Sequence, residues 1–61
     1  MEKEMLIAFN VGEKYSLDYL RLFLWYDFII DEAVENGYFE KSGGDTFIFT
    51  EKGYKFAWGK E

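Results

Sequence analysis

The chain contains no cysteine, no histidine and no proline, and Arg21 is its only arginine. Without cysteine there is no disulfide and no thiolate metal site to staple so short a domain. Without histidine no imidazole serves as general base, nucleophile partner or metal ligand. Long apolar runs are missing as well. None exceeds five residues, as in Leu22 to Tyr26, whereas a membrane-spanning helix needs ~20. The opening Met1-Glu2-Lys3-Glu4 is acidic and leads into no long apolar stretch, unlike a signal peptide. An intracellular, cytoplasmic location is the expectation. With no proline-rich or serine-rich linker and no repeat, residues 1–61 read as a single domain.

What the sequence does have is core-forming material. Of 61 residues, 49% are hydrophobic and 23% aromatic, with 7 Phe, 5 Tyr and 2 Trp. A domain this small buries only about 60% of the surface its unfolded chain exposes, so it needs an unusually rich core. That composition excludes disorder despite a charged fraction of 31%. Twelve acidic against seven basic residues leave a net charge of -5.

Met5, Ala8 and Phe9 recur at i, i+3, i+4, which predicts a short amphipathic helix over residues 3–11, ended by Gly12. Ser16 stands as a cap before Leu17-Asp18 and opens a second helix. Between residues 17 and 34 the pattern admits one continuous buried helix or two joined by a tight turn near Leu24-Trp25-Tyr26, and two are favoured. The later helix spans about residues 26–36, with Phe28, Ile29, Ile30, Ala33 and Val34 as its buried side. Asn36-Gly37 stops it, with Tyr38 folding back on Ala33. The period then changes. Tyr38 to Lys41 and Thr46 to Thr50 read as a two-stranded hairpin around Ser42-Gly43-Gly44-Asp45. Phe47 and Phe49 share one face of it. Thr50 caps a final helix carrying Tyr54, Ala57 and Trp58 at i, i+3, i+4.

Residues Glu32-Ala33-Val34-Glu35-Asn36-Gly37-Tyr38-Phe39-Glu40-Lys41 resemble the end of a recognition helix, its glycine stop and a first wing strand. Phe49-Thr50-Glu51-Lys52-Gly53-Tyr54 is similar to the strand-to-helix junction that follows the wing in winged helix-turn-helix proteins. The resemblance implies an α+β, mainly α fold of three helices, a two-stranded wing and a C-terminal helix. It is silent on function, because winged helices serve both DNA binding and protein docking. DNA-binding members present Arg, Lys, Ser, Thr, Asn or Gln from the recognition helix. Here the matching stretch carries Asp27, Asp31, Glu32 and Glu35 and no basic residue. Such a helix repels phosphate, and counterion release has nothing to draw on.

Asp27, Asp31 and Glu35 fall at i, i+4, i+8, one stripe with roughly 6 Å of rise between members and no cation at i±4. The stripe serves either as a solvated face or as a docking surface for a basic partner. A metal site is disfavoured, because helical carboxylate sites usually include histidine. Trp25 and Tyr26, with Leu22, Phe23 and Leu24, form an aromatic cluster that a small domain has little to cover. Part of it suits an interface, a two-fold homodimer being the simplest, with Trp58 a second candidate. Gly43-Gly44 lacks the sequence context of a phosphate loop. Lys52, Lys55 and Lys60 suit contact with phosphate or an acidic partner, but Glu51 and Glu61 dilute them and a solvated face of the last helix is the favoured reading. The hydroxyls of Ser16, Ser42, Thr46 and Thr50 have no imidazole to activate them.

The expectation is therefore a non-enzymatic module with no cofactor, acting on a protein partner with a basic surface. Its contact residues are Trp25, Tyr26, Asp27, Asp31, Glu32 and Glu35. The alternative is a dimeric DNA-binding regulator using Lys14, Arg21, Lys41, Lys52 and Lys55 on the phosphate backbone.

Overall fold

Ser16 and Thr50 open helices as their contexts predict. The Ser16 hydroxyl accepts a hydrogen bond from the Tyr19 N–H at 3.1 Å, at the head of α1 (Leu17–Leu24). The Thr50 hydroxyl accepts from the Gly53 N–H at 3.1 Å, at the head of α3 (Glu51–Trp58). In this computed structural model, which describes residues 2–59, α2 (Asp27–Glu35) lies between them. Its end is the one the sequence announces. Gly37 takes φ +85°, its N–H donates to the Val34 carbonyl, and the Tyr38 N–H donates back to the Ala33 carbonyl.

The fold is α+β and about half helical, with one antiparallel sheet. The hairpin of β2 (Phe39–Lys41) and β3 (Thr46–Phe49) forms as expected, with Phe39 opposite Phe49 and Lys41 opposite Phe47. Phe47 and Phe49 are buried while Thr46 and Ile48 on the other face are half-exposed. The sheet, however, has three strands and not two. β1 (Lys14–Ser16) pairs along the free edge of β3, giving the order β1-β3-β2. Three residues with one apolar member carry no readable alternation, and the strand exists because β3 offers an unpaired edge.

The first helix is also shorter than its periodicity predicts. Only Lys3–Leu6 is helical, as a single 3-10 turn. Leu6 and Phe9 are nevertheless buried. An isolated helix of nine residues is marginal in water, and here the chain must reach β1: the Gly12 N–H is held by the Phe49 carbonyl at 2.9 Å. Phe9, freed from a helix, stands among the rings of Tyr15, Tyr19, Phe23, Phe39 and Phe49, with centroids between 4.9 and 6.2 Å away. Leu20 and Leu24 from α1, Ile30 and Ala33 from α2, the β-sheet phenylalanines and Ala57 complete one core. No helix among the described residues is long and apolar enough to cross a membrane.

Gly53, inside α3, marks the closest packing. A Cβ there would lie 2.6 Å from a Phe49 ring carbon and 2.8 Å from the Tyr38 carbonyl oxygen. Thr50 reinforces this seam, its hydroxyl donating to the Gly37 carbonyl. The C-terminal helix is thereby locked to the end of α2.

Candidate functional site

Leu24 and Ile30 are both needed in the core, so the chain must reverse between α1 and α2 within Trp25 and Tyr26. The Tyr26 N–H donates to the Leu24 carbonyl at 2.7 Å, two residues back, and Trp25 sits at φ 67°, ψ -52°. This is the γ-turn of positive φ, rare and strained. Trp25 is the only non-glycine residue with positive φ among those described. A bulky side chain in this region is a genuine outlier.

The turn throws apolar side chains outward. Leu22 is 71% exposed, Trp25 68%, Tyr26 56% and Phe28 67%. The rings of Tyr26 and Phe28 stack on each other, centroids 5.4 Å apart. At roughly 150–250 Å² for a whole aromatic side chain, the exposed parts sum to on the order of 500 Å². Phe28 was expected on the buried side of its helix, and that expectation is wrong. Ile30 and Ala33 set the inward direction of α2, and at 100° per residue Phe28 lies about 200° round from Ile30.

One ion pair closes the corner. Arg21 Nε donates to Asp27 Oδ1 at 2.9 Å and an Arg21 terminal nitrogen donates to Oδ2 at 3.1 Å, a bidentate fork. Arg21 also approaches Asp18 at 3.5 Å. The hydrogen bond from Arg21 is the main cause that holds the Asp27 carboxyl below its ordinary value, and Asp27 in turn raises the guanidinium further. The cation that pairs with Asp27 is not on its own helix but crosses from the preceding one. Asp27 is thus neutralised, and the acidic face of α2 begins at Asp31. Asp31, Glu32 and Glu35 are exposed, and with Phe28 they occupy positions i, i+3, i+4 and i+7 of one face.

The cations proposed for phosphate contact do not gather. Arg21 is engaged by Asp27. Lys41 lines a cleft of about 180 Å³ between α2 and the hairpin, where Asp27, Asp31 and Asp45 also stand. Lys14 is exposed on β1, the strand across β3 from Lys41. Lys52 and Lys55 line a separate cleft with Tyr38 and Phe56. Lys60 lies outside the described residues. Among the described residues no group of three or more Asp and Glu is placed to hold a metal ion. Ser16 and Thr50 spend their hydroxyls on capping. Trp58 is exposed at the end of α3, facing the Tyr54 ring at 6.3 Å. Comparison with protein-family models, curated proteins and solved structures finds no match to this chain.

The sequence pattern marked the run from Leu22 to Tyr26 as hard to cover, and Leu22, Trp25 and Tyr26 are exposed; it did not reveal Phe28 as outward or Arg21 as the clamp of the turn.

Proposed function

We propose that this protein is a cytoplasmic, non-enzymatic, winged-helix-like module that docks a protein partner on the α1–α2 corner and the adjoining acidic face of α2. The pair α1–α2, followed by the hairpin β2–β3 and by α3, supports the winged-helix-like reading. The observation that carries the docking reading is Trp25: strained and exposed at the point where four apolar side chains face solvent. Strain of this kind persists where surrounding structure over-determines it and clusters at functional sites. Trp25, Tyr26 and Phe28 act as desolvated anchors, aromatic residues being enriched at interface hot spots. Asp31, Glu32 and Glu35 steer a partner whose socket is apolar and whose rim is basic. The clamp of Arg21 on Asp27 ties α1 to α2 beside the anchor and pairs the carboxylate next to it.

The experiment is a photoreactive amino acid placed at position 28 or 25 in the producing cell, with position 13 as the off-site control. Protein adducts that survive nuclease, and that fall when Asp31 and Glu35 are both changed to Lys, are expected. Adducts to nucleic acid would instead support the DNA-binding alternative, as would tight DNA binding with a steep negative salt slope. Equal capture from position 13 would remove the corner from consideration.

A further inference from the structure

We propose that the partner is a second copy of this chain, which seats the α2 face of one molecule in the Tyr38–Phe56 cleft of the next. The proposal rests on the docking reading above and names its occupant. The socket required there, apolar with a basic rim, is present on the chain itself. Tyr38 and Phe56 stack at 4.5 Å between centroids, with planes 16° apart, and with Lys52 and Lys55 they line a cleft of about 260 Å³. Among the described residues no carboxylate lines it. The Lys52 side chain runs over Gly37, its Cδ 3.3 Å from where a Cβ would stand, so the absence of a side chain at residue 37 gives it room to lie along the cleft. Neither lysine has an ion-pair partner among the described residues. In a chain with twelve acidic and seven basic residues, these two cations share one aromatic opening.

The opposite half is the face of α2. Asp31 and Glu35 are exposed and likewise have no ion-pair partner among the described residues. They are four residues apart, roughly 6 Å along the helix axis, while Lys52 and Lys55 are three apart, roughly 4.5 Å. Two carboxylates therefore meet two ammonium groups at nearly matched spacing. Phe28, one turn before Asp31, is the ring available for the aromatic opening. The cleft is smaller than the ~300–1,000 Å³ of small-molecule pockets, which favours a partner's side chain over a cofactor. The contact joins unlike surfaces, and each molecule carries both of them.

Sedimentation velocity of the full chain over a concentration series tests this. Self-association is expected at low salt and is expected to weaken as salt shortens the Debye length from ~30 Å at 0.01 M to ~3 Å at 1 M. Changing both Asp31 and Glu35 to Lys, or both Lys52 and Lys55 to Glu, should weaken it about tenfold. An equimolar mixture of the two variants should restore association, because the acidic α2 face of one meets the basic cleft of the other and the reversed charges complement each other as well. Lys55→Glu alone, which leaves Lys52 on Gly37, should give a smaller loss and covers the case in which the double lysine variant disturbs the end of α2. Glu13→Lys, off both faces, should leave association intact. A wild-type chain that stays monomeric at millimolar concentration in low salt overturns the proposal, and so does a mixture that stays monomeric. A monomeric wild type that still cross-links to another protein from position 28 sinks the second-copy proposal alone; no cross-link at all sinks the docking reading with it.

Discussion

Replacing Trp25 by glycine and, separately, by alanine isolates the strain in the α1–α2 turn. Both substitutions delete the indole and its partial burial, so their difference reports on the backbone. At an ordinary position glycine is the less stable of the two by about 0.5–1 kcal/mol, because it loses more chain entropy on folding. At φ 67°, ψ -52° alanine retains a strain of about 1–3 kcal/mol that glycine does not carry. The order therefore inverts, with Trp25→Gly more stable than Trp25→Ala by about 1 kcal/mol. For a domain of this size that is a gap of about 4–8 °C in melting temperature. Paired thermal and urea melts followed by far-ultraviolet circular dichroism measure it. Asp31, exposed within α2, provides the control, where alanine should exceed glycine by about 1 kcal/mol. Equal stability at position 25, or alanine ahead, would refute the assignment of strain and with it the main support for the docking site.

Gly53→Ala should destabilise by about 1–3 kcal/mol although alanine is the better helix former, since its methyl would enter space held by the Phe49 ring and the Tyr38 carbonyl; denaturant midpoints decide the sign. Thr50→Val should cost about 1–3 kcal/mol while Thr50→Ser costs far less, because the hydroxyl both caps α3 and satisfies the Gly37 carbonyl. An NMR titration should find the Asp27 carboxyl below the ordinary carboxylate range, and Arg21→Gln should return it there. Since the folded value is the depressed one, the clamp's contribution is present at neutral pH and is lost as pH falls from the ordinary carboxylate range through the folded value. The Arg21→Gln variant should lack that acid-side loss, and identical acid melts for the two proteins would remove the clamp from the energetics.

Much of the architecture was legible because its signals are local. Ser16 and Thr50 cap, Asn36-Gly37 stops, and Phe47 and Phe49 alternate, each within a few residues of the structure it specifies. What was not legible depends on partners far along the chain. β1 exists through the edge of β3, more than thirty residues later. The first helix yields to the link between Gly12 and Phe49. The site divides in the same way. Trp25, Tyr26, Asp31, Glu32 and Glu35 are exposed as the pattern suggested. Phe28 was misplaced because the apolar run Phe28-Ile29-Ile30 was assigned to one side, although at 100° per residue Phe28 and Ile30 lie about 200° apart. Asp27 was counted as an unpaired carboxylate because its cation, Arg21, arrives across a turn whose geometry no spacing rule contains.

The corner brings three liabilities together. α1 and α3 begin with side-chain caps, whereas α2 begins with Tyr26, which makes no capping bond. Positive φ is otherwise confined to glycine among the described residues, whereas here it falls on tryptophan. Leu22 and Phe28 face solvent from helices whose neighbouring positions are filled with charged residues. Glycine at 25, serine or aspartate at 26 and a charged residue at 28 would each relieve one of them by a single change of a kind that is routinely stabilising. In a 61-residue domain, whose core supplies only about 3–5 kcal/mol of net stability, three concurrent departures from the stable solution are costly. Folding alone gives no reason to keep them together, and each of the three leaves an aromatic ring facing outward. A contact surface accounts for all of them at once, because the ring that strains or exposes the free molecule is the ring that another surface would cover.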